Sequence, residues 1–213
     1  MAGSCGCSGR LTTAVSDDPC NALVRSASGL LVPATALEVG PGLTVEAPAA
    51  GDCPQTWTVN VDSSWAQGPW AGVGTHDLDG ADRVYEEITE VAPMVIPRSG
   101  IWEVNFVVRG GVQLPANAVA SEFVVAALFE NGSVIVGQEV MVVGLSRGQA
   151  TGATAGAQGT GTGAFLRAFT AGDQIALHAY RIGQLGVAQV VSNADGRTRL
   201  MAHWIGPEGD TPA

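Results

Sequence analysis

Three histidines, four cysteines and two groups of carboxylates are the residues of this chain with chemistry to offer, and their spacing limits what they can do. His76, His178 and His203 are scattered, and none stands at metal-ligand spacing from another His or from a Cys. Cys5, Cys7, Cys20 and Cys53 all fall in the first quarter; C-x-C followed by two single cysteines, with no His nearby, matches no standard zinc pattern. Two readings stay open for them: buried or idle thiols, and disulfides formed after release into an oxidising medium, including disulfides between neighbouring chains. The run Asp77-Leu78-Asp79-Gly80-Ala81-Asp82 places three carboxylates together but lacks the spacing and distal glutamate of a calcium loop, so it reads as a solvated acidic turn. Glu86, Glu87 and Glu90 form one acidic patch, not the two carboxylates facing across a groove that a glycosidase needs.

The chain contains no lysine, which excludes Schiff-base chemistry and a phosphate-loop lysine. No G-x-S-x-G elbow and no glycine fingerprint opening a helix is present. The expectation is a protein without catalysis, without a cofactor and without a resident metal. A net charge of −10 repels nucleic acid and anionic membranes, so neither is expected as a partner. No apolar run approaches the eighteen residues needed to cross a bilayer as a helix, and Met1–Arg10 has neither a basic nor an apolar leader region. The chain is therefore expected to be made in a cytoplasm.

Hydrophobics at 46%, 29 glycines and only 14% charged residues suit an all-β protein rich in turns. Residues 1–60 hold short β-like pieces between Pro and Gly, with no face large enough for a core of its own; an extended, β-rich arm is expected. Residues 61–82, rich in Gly and punctuated by Trp65 and Trp70, read as a linker, and residues 208–213 as a tail.

Regular patterning begins at Arg83. Trp102, Val104, Phe106 and Val108 alternate with Glu103, Asn105 and Arg109, which predicts a half-buried strand. Asn131-Gly132 between two apolar runs is a hairpin signal. Leu200, Ala202 and Trp204 share one face of a final strand. Between them, Gly144–Gly163 is nearly pure Gly, Ala, Thr, Ser and Gln, and is expected to be a passive or partner-contacting surface loop. Strands of this length without helical periodicity predict a β-sandwich or barrel.

Four of these segments, in order, resemble the jelly roll of the complement globular head and tumour necrosis factor superfamily. Pro97, Gly100 and Trp102 match its strand entry, Leu128, Asn131 and Gly132 its strand ending in Asn-Gly, and Phe169, Gly172, Asp173, Ile175 and Leu177 its Gly-Asp corner. The closing Phe-x-Gly is replaced by Leu200-x-Ala202. The resemblance covers about residues 83–207 and implies a jelly-roll head that packs as a homotrimer. Arg167 departs from the pattern, sharing a face with Phe165 and Phe169. Such a position implies either a trimer axis, with a carboxylate from a neighbouring chain, or a bulge that shifts the register.

The N-terminal half, with its Cys-Gly-Cys start and Gly-Pro-Gly-Leu-Thr-Val unit, is similar to the attachment regions of fibre and minor tail proteins of actinobacterial phages. Together the two resemblances imply a virion-surface protein, made in the host cytoplasm. Its arm would contact other virion proteins, and its head would bind a host-envelope glycan or protein or reinforce the particle. Tyr180, Arg181 and Gln184 are the expected receptor contacts. The alternative is a secreted or cell-surface ligand or lectin of complement-head type.

Overall fold

The computed structural model describes residues 24–26, 29–31, 43–46, 57–61, 63–69, 74–192 and 198–208. The chain divides into two units, residues 1–40 with 45–58, and residues 41–44 with 59–213. In the first, β1 (Val24–Ser26) and β2 (Gly29–Leu31) pair antiparallel. Two further short strands, β3 (Leu43–Glu46) and β4 (Thr58–Val61), make a sheet of their own. The four cysteines and the expected arm otherwise lie outside the described residues, as does the tail beyond residue 208.

The larger unit is all-β. It contains β5 (Trp65–Pro69), β6 (Gly74–Asp77), β7 (Glu86–Glu87), β8 (Met94–Val95), β9 (Gly100–Leu114), β10 (Ala120–Glu130), β11 (Ser133–Arg147), β12 (Ala155–Phe169), β13 (Gln174–Ile182), β14 (Val187–Ser192) and β15 (Arg199–Gly206). One sheet is built on β9, which pairs with β12 along one side. Its other side pairs with β15 and then β5 at one end, and with β14 and then β6 at the other. The second sheet runs β11-β10-β13, with β7 and β8 on the free edge of β13. The chain passes between the sheets at β6–β7, β8–β9, β9–β10, β11–β12, β12–β13 and β13–β14. This alternation of two antiparallel sheets makes the head a jelly roll.

The alternation read in the sequence sets the core. Trp102, Val104, Phe106 and Val108 are buried with Leu200, Ala202 and Trp204, and meet Val124, Ala126, Leu128, Ile175 and Leu177 from the second sheet. Each large aliphatic or aromatic side chain so buried contributes about 1.5–3 kcal/mol over exposure.

Two expectations about organisation need correction. The segment expected as a linker supplies β5 and β6, each paired into the larger sheet. Their Gly and Trp content hid a short edge-strand pattern. Most of the ribbon Gly144–Gly163 is not a loop either: apart from the connection 148–154 it ends β11 and forms most of β12, which pairs with β9 from Ala155 to Phe169 without a register shift. Its inward-facing β12 glycines answer to packing. A Cβ at Gly159 would stand 2.3 Å from the Val142 carbonyl oxygen, and one at Gly163 would stand 2.3 Å from the Phe106 ring. Bare backbone at these inward positions lets β12 lie directly against β11 and the core.

Candidate functional site

The head offers two broad faces and one structured end. At the end, Asn131 (φ 49°) and Gly132 (φ 82°) make the tight turn between β10 and β11, in the left-handed region that such hairpins require. Gly172 (φ 96°) turns the chain into β13 beside Asp173. Phe169 is buried, Pro97 lies on the connection from β8 to β9, and Gly100 packs against the Trp204 indole. The residues of the resemblance are therefore architectural.

Arg167 is exposed, on an unbroken register opposite Trp102, so no bulge shifts it. Its guanidinium reaches out of the sandwich edge to Glu130 of its own chain at 2.6 Å, clasping β12 to β10. The carboxylate expected from a neighbour is supplied within the chain.

Of the three expected receptor contacts, Arg181 is buried, and this corrects its placement. Its Nε donates to Glu122 Oε1 at 2.9 Å and its Nη2 to the same oxygen. Nη1 donates to the Leu78 carbonyl at 3.0 Å and Nε also to the Gly183 carbonyl at 2.8 Å. Glu122, fully buried, accepts in addition from the Gly186 N–H at 3.1 Å. Both ions are thus saturated with hydrogen bonds, the condition for holding a charge pair inside a protein. The alternation of β13 places Arg181 inward with Leu177 and Ala179; the position looked exposed only because Arg rarely is buried. Gln184 is exposed, donating to the Gly80 carbonyl at 3.2 Å.

Tyr180 is half-buried on the outer face of the second sheet, within an aromatic group the sequence did not reveal. Tyr85 stands edge-on to Tyr180 (4.9 Å) and to Phe129 (5.0 Å), and its hydroxyl donates to Glu139. His178 stacks on Phe129 at 3.8 Å. It sits in a cross-strand row Glu139–Ala127–His178–Glu87. Burial holds the His178 pKa below its ordinary value of 6.5, against the opposing pull of Glu87. Burial, then the Glu139 charge, raises that of Tyr180 against the pull of Arg83.

The outer face of the larger sheet mixes polar and apolar side chains. Trp65, His203, Glu103 and Leu166 form one cross-strand row, and Gln67, Met201, Asn105 and Ala164 the next. Trp65 is 59% exposed and stacks on His203 at 4.3 Å; Leu166 is 57% and Ile205 51% exposed. His76 is on β6, bonded through Nδ1 to Glu90 at 2.7 Å. The three histidines occupy three separate settings, and among the described residues no group of His, Cys, Asp or Glu is arranged to hold a metal ion.

No family model matches the chain, and no curated protein sequence matches it. Among solved structures it is similar to Eiger, a tumour necrosis factor protein of S. frugiperda, with 8% identity and a TM-score of 0.38, covering 71% of this chain and 96% of that one. It is also similar to murine APRIL, with 13% identity and a TM-score of 0.39 over 67% of this chain and 99% of that one. The head is an all-β sandwich with a jelly-roll strand order.

Proposed function

We propose that this protein is a structural component of a virion, displayed at the particle surface as a homotrimeric head that binds the host envelope. Residues 1–60 serve as the arm that docks on other virion proteins. The head acts by binding and not by catalysis. The observation that carries the self-association is the row Trp65–His203–Glu103–Leu166: large apolar groups at both margins of one sheet face, with a third, Ile205, beside them. Large apolar side chains left exposed on one sheet face, here around His203 and Glu103, are a mark of an interface, and copies related by closed symmetry would cover them. The sequence features of the arm support the virion assignment. Labelling intact particles with an antibody to the head should decorate one structure on the particle. Light scattering should give a mass of three chains, and Leu166→Asp with Trp65→Ala should reduce it to one. Unlabelled particles, or a stable monomer at micromolar concentration, would reject this reading.

A further inference from the structure

Far from the Trp65 row, about eight residues further along β9 or roughly 27 Å at the usual strand rise, the same sheet face is concave. A depression of about 390 Å³ is lined by Gly111, Gln113, Gly156, Gln158, Val187 and Gln189, with Val112 and Ala157 beneath. It lies where β14 has replaced β15 as the partner of β9. The register places Asp77, Gln189, Gly111 and Gln158 directly opposite one another on four adjacent strands. Val187, Gln113 and Gly156 form the next row. Gly111 brings no side chain, so the depression continues as a slot between the strands that carry the two flanking glutamines, whose backbones stand two strand spacings apart, roughly 9.5 Å. The Gln189 amide lies over Gly111, its nitrogen 3.3 Å from where a Cβ would be, and so forms part of the floor.

The lining chemistry defines the ligand class. Three carboxamides each bring an acceptor and two donors, matching hydroxyl groups that both give and accept hydrogen bonds. Arg109 Nη2 donates to Gln158 Oε1 at 2.8 Å and Nη1 to Thr160 Oγ1 at 3.2 Å, which fixes that amide and leaves its NH₂ as the outward donor. The Arg109 guanidinium is thereby engaged, and Asp77 closes the row with a negative charge, so an anionic ligand is disfavoured. Val187, 47% exposed, supplies an apolar wall for the C–H face of a ring. A few fixed polar groups around a shallow, partly apolar concavity is how small-ligand sites obtain orientation and specificity.

We infer that this slot binds a neutral saccharide unit, such as a hexose or N-acetylhexosamine of an envelope glycan. The inference rests on the host-binding reading above and names its ligand. The slot and the Trp65 row lie at opposite ends of the sheet, so trimer contacts and sugar contacts use different residues.

The test uses the full-length protein on an array of neutral hexose and N-acetylhexosamine oligosaccharides, with uronate and sialylated members alongside, followed by calorimetry on the best binder. Binding to neutral members is expected, weakened about three- to tenfold by Gln158→Ala and again by Gln189→Ala, each amide removing hydrogen bonds of ordinary strength. Oligomer mass and melting temperature should stay unchanged in both variants. No binding to neutral members, binding to anionic members alone, or full binding by the double variant would overturn the slot assignment. Particle labelling reads the virion assignment separately: decorated particles together with a head that binds no neutral saccharide would sink the slot and leave that assignment standing.

Discussion

Asn131 Nδ2 donates to Asp173 Oδ1 at 2.8 Å, while the Gln174 N–H donates to Asn131 Oδ1 at 2.9 Å. The β10–β11 turn and the β12–β13 corner, 42 residues apart, are thus fastened to each other. Asp173 also accepts from the Thr170 N–H at 2.7 Å, so one carboxylate serves its own corner and the neighbouring turn. Asn131→Ala gives up this bonding and puts Ala at positive φ; a loss of about 1–3 kcal/mol is expected. Denaturant melts of Asn131→Ala, Asp173→Ala and the double variant should show coupling of roughly 0.5–1.5 kcal/mol; strict additivity would show that the two turns are independent.

The Arg181–Glu122 pair makes a sharper prediction. Either Glu122→Leu or Arg181→Met alone leaves one buried ion without its counter-ion and should cost about 3–5 kcal/mol. The double variant should recover most of that loss, because neither charge then remains to be desolvated. If the double variant is as unstable as the singles, the pair's role is packing rather than mutual neutralisation.

The β12 glycines can be separated from loop glycines by alanine substitution. Gly163→Ala and Gly159→Ala should each destabilise by about 1–3 kcal/mol through overpacking. Gly148 and Gly152, in the connection before β12 with open space around them, should accept Ala almost without effect. Equal tolerance at all four positions would contradict the close approach of β12 to β11.

His178 should make stability fall on the acid side. Its folded pKa lies below the ordinary 6.5, so above that pH both states are neutral and the residue contributes nothing. As pH drops below about 6.5 the unfolded chain takes up the proton first, and stability declines until the folded residue also protonates. Melting temperatures of wild type and His178→Gln, followed from pH 8 to pH 5, should converge in slope only if this account is wrong; the variant should show the shallower decline.

Strand β9 was legible because one of its faces is buried and the other is not, so hydrophobicity alternates along it. The Asn131-Gly132 turn was legible because its backbone conformation restricts residue choice. The first part of strand β12, Ala155–Gly163, was not, because inward positions such as Gly159 and Gly163 touch backbone and aromatic ring so closely that only glycine fits, and alternating Gly and Thr carries no hydrophobic period. Arg181 was misplaced for a related reason: burial of a charge depends on Glu122, 59 residues away, and on the carbonyls of Leu78, Gly183 and Gly186, which no local pattern announces. The Tyr85 group and the glutamine slot depend on register across three or four strands, which single-strand periodicity does not encode.

Strand β15 lies between β5 and β9, hydrogen-bonded to both. While a ribosome is still making residues 199–206, β5 lacks the strand that joins it to the sheet, one edge of β9 stands unpaired over Ile101–Val107, and the core faces of Trp102 and Phe106 lack Leu200, Ala202 and Trp204. Almost every pairing in the head joins residues distant in sequence, and such topologies close in milliseconds to seconds rather than microseconds. The nascent head therefore completes its fold only after synthesis has passed its last strand, and during that interval its sticky interior depends on dilution or on chaperones for protection.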